Sequence, residues 1–194
     1  IEQCREAFGD SLEILTGIEF GEPHKYPAEF EKVHDAGFDV VLGAVHRIGD
    51  VPVAVAAATD MPAEEIFQRY YEEVLAAVKL GGFDVLAHMD LPKRHVGSSR
   101  AFPSITEEIF WELRKRDIVP EINTSTYRSK ATECSPDLPL LQQWKWVGGE
   151  KLVIGSDAHS VGAIGQAFER AENLVRETQL SYGLFRNRRY HKLG

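Results

Sequence analysis

Asp84-Val85-Leu86-Ala87-His88-Met89-Asp90 is the stretch on which the fold turns. A short apolar run stops on residues that can hold a metal. The same design recurs along the chain. Leu15-Thr16-Gly17-Ile18 runs into Glu19, and Val40-Val41-Leu42-Gly43-Ala44-Val45 into His46. Ile118-Val119-Pro120 leads to Glu121 and Asn123, and Lys151-Leu152-Val153-Ile154-Gly155-Ser156 leads to Asp157 and His159. Helical patterns separate these runs. Strands that alternate with helices predict a parallel sheet. Parallel strands whose C-terminal ends all carry polar groups predict one shared site there, as in strand–helix barrels.

The segments between the runs sharpen this reading. The first strand is expected over Glu13 to Phe20, followed by a short helix over Pro27 to Ala36 and a strand over Asp39 to His46. Arg47 to Thr59 reads as a loop, or as an extended piece at Val51 to Ala58. The clearest helix spans Pro62 to Leu80, with Asp60 as its expected N-cap and Gly81-Gly82 as its stop. Ile66, Phe67, Tyr70, Tyr71, Val74, Leu75 and Val78 recur at helical spacing and form its apolar face. Ser104 and Glu107 form a capping-box signature before a helix ending near Asp117. Ser135-Pro136-Asp137 opens a helix over Leu138 to Trp146, and a last helix is expected over Ala163 to Glu177. The basic run Phe185 to His191 reads as a solvated surface or a final strand edge. Ile1 to Gly9 reads as the tail of a helix. Without repeats or a linker, residues 1–194 read as one domain.

Bulk properties limit the function. The 194 residues suffice for a real core. A net charge of -8 argues against broad nucleic-acid binding, which wants a basic surface. No apolar run approaches the roughly 20 residues that span a bilayer. Cys4 and Cys134 lie far apart and outside any C-x-x-C pattern, which fits a cytoplasmic protein without a disulfide framework. No Gly-rich phosphate loop and no Gly-x-Ser-x-Gly are present.

The chemistry is therefore expected from metal ligands. Asp157 and His159, spaced by one residue, face the same side of an extended segment. His88 and Asp90 repeat that spacing. Mixed imidazole and carboxylate donors suit Zn, Mn or Fe better than Ca. A carboxylate at a strand end, such as Glu19, can bridge two cations that activate a shared water. A phosphate ester also needs cationic partners. Lys93, Arg94, His95 and Arg100 follow the His88 run, and Arg128 follows Glu121-Ile122-Asn123-Thr124-Ser125. His24 is placed to line the substrate pocket. Glu121 and Asn123 are placed to orient a ligand or a loop, with direct ligation open to Glu121.

In their order, Gly17-Ile18-Glu19, Leu42-Gly43-Ala44-Val45-His46, Ala87-His88-Met89-Asp90, Glu121-Ile122-Asn123-Thr124-Ser125 and Ser156-Asp157-Ala158-His159 resemble the PHP (polymerase and histidinol phosphatase) superfamily. Tyr70-Tyr71-Glu72 through Leu91-Pro92-Lys93-Arg94, and Asn123-Thr124-Ser125 followed by Arg128, are most similar to its histidinol-phosphatase branch. The resemblance implies a distorted seven-stranded (β/α) barrel holding two or three divalent metals. It implies Glu19, His46, His88, Asp157 and His159 as ligands and catalytic groups. Arg94 and Arg128 match its phosphate-contacting positions. The implied reaction takes L-histidinol phosphate to L-histidinol and phosphate, the penultimate stage of histidine biosynthesis. Other branches attack nucleic-acid phosphodiesters, and a non-catalytic metal-stabilised scaffold is a further alternative. The family opens on a His-x-His strand that this chain lacks upstream of Glu19, so the expectation is an N-terminally truncated barrel without its first strands.

Overall fold

The computed structural model describes residues 1–34, 36–97, 102–129 and 133–194. In chain order its elements are α1 (Glu2–Phe8), β1 (Gly17–Gly21), α2 (Pro27–His34), β2 (Val40–Ala44), β3 (Arg47–Ile48), β4 (Val51–Pro52), α3 (Val53–Ala56) and α4 (Ala63–Leu80). Then come β5 (Val85–Leu86), α5 (Lys93–Val96), α6 (Pro103–Lys115), β6 (Val119–Asn123), a 3-10 turn (Thr124–Arg128), α7 (Leu138–Trp146) and β7 (Lys151–Gly155). A second 3-10 turn (Val161–Ala163), α8 (Phe168–Thr178), β8 (Ser181–Arg186) and β9 (Arg189–Lys192) complete it.

Seven strands form one sheet in the order β1-β2-β5-β6-β7-β8-β9. Pairing is parallel from β1 to β8, and β9 returns antiparallel. The α/β class with a mostly parallel sheet is as the alternation of runs demands. Strand neighbours are also sequence neighbours, apart from the small β3–β4 hairpin.

The two sheet faces differ. Val41, Leu86, Ile122 and Leu152 point to the helices and join a large core with Phe67, Tyr70, Tyr71, Val74, Ile109, Phe110, Leu113 and Trp144. The face of α4 read from sequence is buried as expected, except that Leu75 is only partly covered. Each large apolar side chain fully buried there contributes about 1.5–3 kcal/mol. The alternate residues Val40, Leu42, Val85, Val119, Val153 and Phe185 gather with Tyr190 on the opposite face. Glu19 stands beside Leu42 in register, and Glu121 lies two residues beyond Val119. Both carboxylates therefore rise from this second face.

The hairpin turn between β8 and β9 reaches back across the sheet. Asn187 and Arg188 both hold positive φ, 48° and 62°, as a tight hairpin turn requires. The Asn187 N–H donates to the Asp39 carboxylate, and the Arg188 N–H to the Asp39 carbonyl. The Arg188 guanidinium pairs with Asp84, and Arg186 with Glu13. The basic run is thus a strand edge pinned to acids that precede β1, β2 and β5.

Local expectations fail where a cap or a strand end decides. α4 begins at Ala63 behind Pro62, with no side-chain cap, so Asp60 lies too far upstream to serve. α6 begins at Pro103 with Phe102 as its cap residue, which puts Ser104 inside the helix. Pro103, at the first helical position, starts the helix two residues before the box would. β1 starts at Gly17 because Thr16 is engaged by Asp39, whose carboxylate accepts from its N–H and hydroxyl. Val51 to Ala58 is not extended: a two-residue strand leads directly into α3. The last helix starts at Phe168, after the 3-10 turn, with Ala167 left-handed. Asp137 caps α7 as expected, its carboxylate accepting from Leu140 N–H. No helix among the described residues is long and apolar enough to cross a membrane.

Candidate metal centre

Glu19, His46 and His88 converge from three adjacent parallel strands, β1, β2 and β5. Glu19 is the middle residue of β1, and each histidine lies two residues past its strand. One oxygen of Glu19 is 3.2 Å from His46 Nε2 and 3.4 Å from His88 Nε2. The two rings stand 65° apart with centroids 5.1 Å apart. One donor atom from each of the three residues lies within 4.8 Å of the others. A tetrahedral ion with bonds of about 2.0–2.1 Å would separate neighbouring donors by about 3.3–3.4 Å. The carboxylate–imidazole spacings match that separation. His88 is buried, and its Nδ1 has no partner among the described residues, so the ring is held by packing and by whatever its Nε2 binds.

Nearby groups hold the histidines. Tyr70, on the buried face of α4, donates its hydroxyl to the Val45 carbonyl at 3.0 Å, next to His46. Glu22 accepts from the His46 N–H at 2.5 Å, and the same oxygen is 3.9 Å from His46 Nδ1. A carboxylate in this place steers an imidazole. Glu22 was missed in sequence, although it follows the end of β1 directly and so carries the same strand-end signal as Glu19.

Burial and charge set the protonation of the cluster. Burial works to raise the Glu19 pKa, but hydrogen bonds from His46 and His88 outweigh it and hold the carboxyl well below the usual range. Burial works to lower His88, and Glu19 and Glu121 together raise it. Burial pushes the Glu121 carboxyl up to about 7, against the pull of His88 and Asn123. Glu121 Oε2 accepts from the His88 N–H at 3.1 Å and from Asn123 Nδ2 at 3.0 Å. Its other oxygen lies where a Cβ on Gly155 would be, only 1.9 Å from that position. Gly155 therefore makes room for the carboxyl on the neighbouring strand, and any side chain there would evict it.

The second half of the site is built on turns. Asp157 follows β7 with φ of 48°, and His88 follows β5 with φ of 28°. Such backbone is costly for residues other than glycine and collects at functional sites. Asp157 Oδ2 accepts from Arg94 Nη2 at 3.1 Å and from Ser125 Oγ at 3.2 Å. The same Arg94 nitrogen donates to Asn123 Oδ1 at 3.3 Å and to Ser125 Oγ. Arg128 Nη2 donates to the Asp157 carbonyl at 2.8 Å. His159 is 89% exposed, with Nδ1 3.0 Å from the Asp157 carbonyl oxygen and 3.6 Å from its carboxylate. Asp157 and His159 therefore stand near each other but outside the triad. The alternation expected of an extended strand stops at Gly155, because β7 ends there.

Three expected site residues are engaged elsewhere. Lys93 is buried, 2.6 Å from Asp90 Oδ2 and 3.2 Å from Asp137 Oδ2, and donates to the Cys134 carbonyl at 3.0 Å. Asp90 is fully buried against Lys93 and the Ser135 hydroxyl. It does not share a face with His88, since β5 ends at Leu86 and the positive φ of His88 redirects the chain. His24 Nε2 lies 2.7 Å from Glu73 of α4. Arg100 lies outside the described residues. Ser125, read only as part of a motif, turns out to touch Asn123, Arg94 and Asp157.

No protein-family model matches the chain. Curated relatives do. The chain is 29% identical over 201 residues to a protein named probable histidinol-phosphatase from Deinococcus radiodurans, covering 97% of this chain and 74% of that one. It is 26% identical over 187 residues to a protein of the same name from Clostridium acetobutylicum, covering 92% and 73%. Among solved structures, the crystal structure of histidinol phosphate phosphatase from Lactococcus lactis, complexed with zinc, L-histidinol and phosphate, superposes with a TM-score of 0.83. That match is at 24% identity and covers 98% of this chain and 76% of the other. Along nearly its whole length the chain is similar to proteins named histidinol-phosphatase, the branch of the PHP superfamily that its motifs resemble.

Proposed function

We propose that the chain is a metal-dependent phosphomonoester hydrolase that converts L-histidinol phosphate to L-histidinol and phosphate. The observation that carries this is the convergence of Glu19, His46 and His88 at donor spacings suited to a divalent cation. The names of the relatives supply the substrate, and the zinc, L-histidinol and phosphate in the Lactococcus structure agree with it. Glu19, His46 and His88 would hold the first cation. Asp157 and His159 would serve a second or third, with Zn, Mn and Fe as candidates. A bound cation would supply a water of near-neutral pKa and neutralise charge on the phosphoryl group.

The chain's own residues do the rest. Arg128 and Arg94 flank Asp157 and offer their remaining N–H groups to phosphate oxygens. Asn123 orients both Arg94 and Glu121 through opposite ends of one amide. We read the sheet as part of a distorted (β/α) barrel in a single domain, on the ground that the β8–β9 turn returns to Asp39 and Asp84. A cytoplasmic enzyme of histidine biosynthesis fits this activity.

The test is release of inorganic phosphate from L-histidinol phosphate, by chelated protein and after reloading with Zn, Mn or Fe. Hydrolysis restored by one of these ions is expected. Absence of turnover from metal-loaded protein would favour a scaffold. Faster cleavage of single-stranded DNA than of the phosphomonoester would favour the nuclease branch.

A further inference from the structure

The geometry points to Lys93 as a positioning residue that fixes Arg94 and Asn123 from inside the protein, with no contact of its own to substrate. Its ammonium is sealed between Asp90, Asp137 and the Cys134 carbonyl. Those partners come from two separate segments. Asp90 follows β5, and Cys134 to Asp137 lead into α7. From the second segment Ser135 pairs back with Asn123 in both directions, Asn123 N–H to Ser135 O at 2.7 Å and Ser135 N–H to Asn123 O at 3.1 Å. The Ser135 hydroxyl also donates to Asp90. Asn123 then accepts from Arg94, the residue next to Lys93. Lys93, Asp90, Ser135, Asn123 and Arg94 therefore form a closed ring.

The ring supports a weak element. α5 is four residues long and has no side-chain cap, so helix propensity alone cannot hold it. It carries Arg94, and its anchor is the buried ammonium. A buried ionic cluster adds little stability over an apolar replacement, because desolvation cancels most of the attraction. What it supplies here is one geometry: the guanidinium of Arg94 aimed at Asn123, Ser125 and Asp157.

The experiment rests on the phosphatase reading and is built to fail separately from it. Lys93→Met alone would leave two buried carboxylates without a counter-charge, so the informative protein is K93M/D90N/D137N. Its cluster is neutral, and Asn at 137 still caps α7. The expected result is a rise of about tenfold in both KM for L-histidinol phosphate and the inhibition constant of inorganic phosphate. Metal content should be unchanged. Adding Arg94→Ala should then raise KM less than twofold further, since Lys93 acts through Arg94. A merely structural role would lower kcat through loss of folded protein and leave KM alone. A folded triple variant with wild-type KM, or a full additive effect of Arg94→Ala, would overturn the inference. Should the triple variant not fold, Asp137→Asn alone is expected to raise KM about threefold, and wild-type KM there would also overturn it. If the wild-type chain does not hydrolyse the ester, the functional reading fails. The inference is then read from amide hydrogen exchange at Ser125, whose N–H is held by Asn123 Oδ1. Exchange about tenfold faster in the variant supports it, and unchanged exchange refutes it.

Discussion

The two halves of the site are built differently. Glu19 lies on β1 and His46 and His88 lie two residues past the neighbouring strands β2 and β5, so parallel pairing brings the three together and one carboxylate oxygen meets both rings within 3.4 Å. Asp157 and His159 sit on the turn after β7, Arg128 ends a 3-10 turn and Arg94 rides on the four-residue α5, so their places depend on hydrogen bonds among themselves and their neighbours. Asp157 is held by Arg94, Ser125 and Arg128, while His159 stays almost wholly in solvent. A ligand on a strand end is placed by the backbone. A ligand on a turn is placed by its neighbours, and can be displaced through them.

If that contrast holds, damage should be graded. The largest effect is expected from His88→Ala, which removes a buried donor from the register-fixed half: loss of bound metal and at least a 100-fold fall in kcat. Metal analysis alongside kinetics checks it, and full metal content would break the comparison. His159→Ala should cost much less, about tenfold in metal affinity, since the exposed imidazole is not fixed by the sheet. Equal losses for the two histidines would show that the turn-built half is as rigid as the other. Arg128→Ala should raise KM about tenfold at unchanged metal content. An unchanged rate on histidinol phosphate would remove Arg128 from the substrate site.

The smallest effect concerns pH. In chelated protein Glu121 takes up protons near pH 7, whereas the unfolded carboxyl does so near 4.5. Folded protein therefore binds more protons across that window. Its stabilising contribution is complete below 4.5 and is lost as pH rises through about 7. His88, also raised, adds in the same direction. The melting temperature of the chelated protein should fall by a few degrees between pH 5 and 8, and Glu121→Gln should flatten the slope. The slope would be equally steep in both proteins if Glu121 were already ionised at pH 5.

The convergence of Glu19, His46 and His88 was legible in the sequence. Apolar runs ending in Glu19, His46 and His88 are local patterns, and parallel pairing turns a local pattern into a shared site. Beyond the last paired residue the reading loses its basis. His88 and Asp90 look like partners on one face only if the strand continues, but β5 stops at Leu86 and Asp90 turns inward. Lys93 looks like a cationic partner for phosphate until Asp137, 44 residues on, is folded against it. Asp60 and Ser104 have the chemistry of caps but sit at the wrong offset, because a proline fixes each helix start, Pro62 as the cap residue of α4 and Pro103 as the first residue of α6. Long-range partners and the residue at which an element stops are what local spacing does not contain.

The hairpin of β8 and β9 has a consequence for the order of folding. Its contacts join residues 104 to 173 positions apart, with Arg188 on Asp84 and Arg186 on Glu13. Loops of that length close late, after the local βα units have collapsed. On the ribosome, Asp39 and Asp84 must wait through the synthesis of more than half the chain before Asn187 and Arg188 emerge. Until then Asp39 and Asp84 lack their hairpin partners and the sheet lacks its last strands, and that interval is when unpaired strand edges are most exposed to wrong partners.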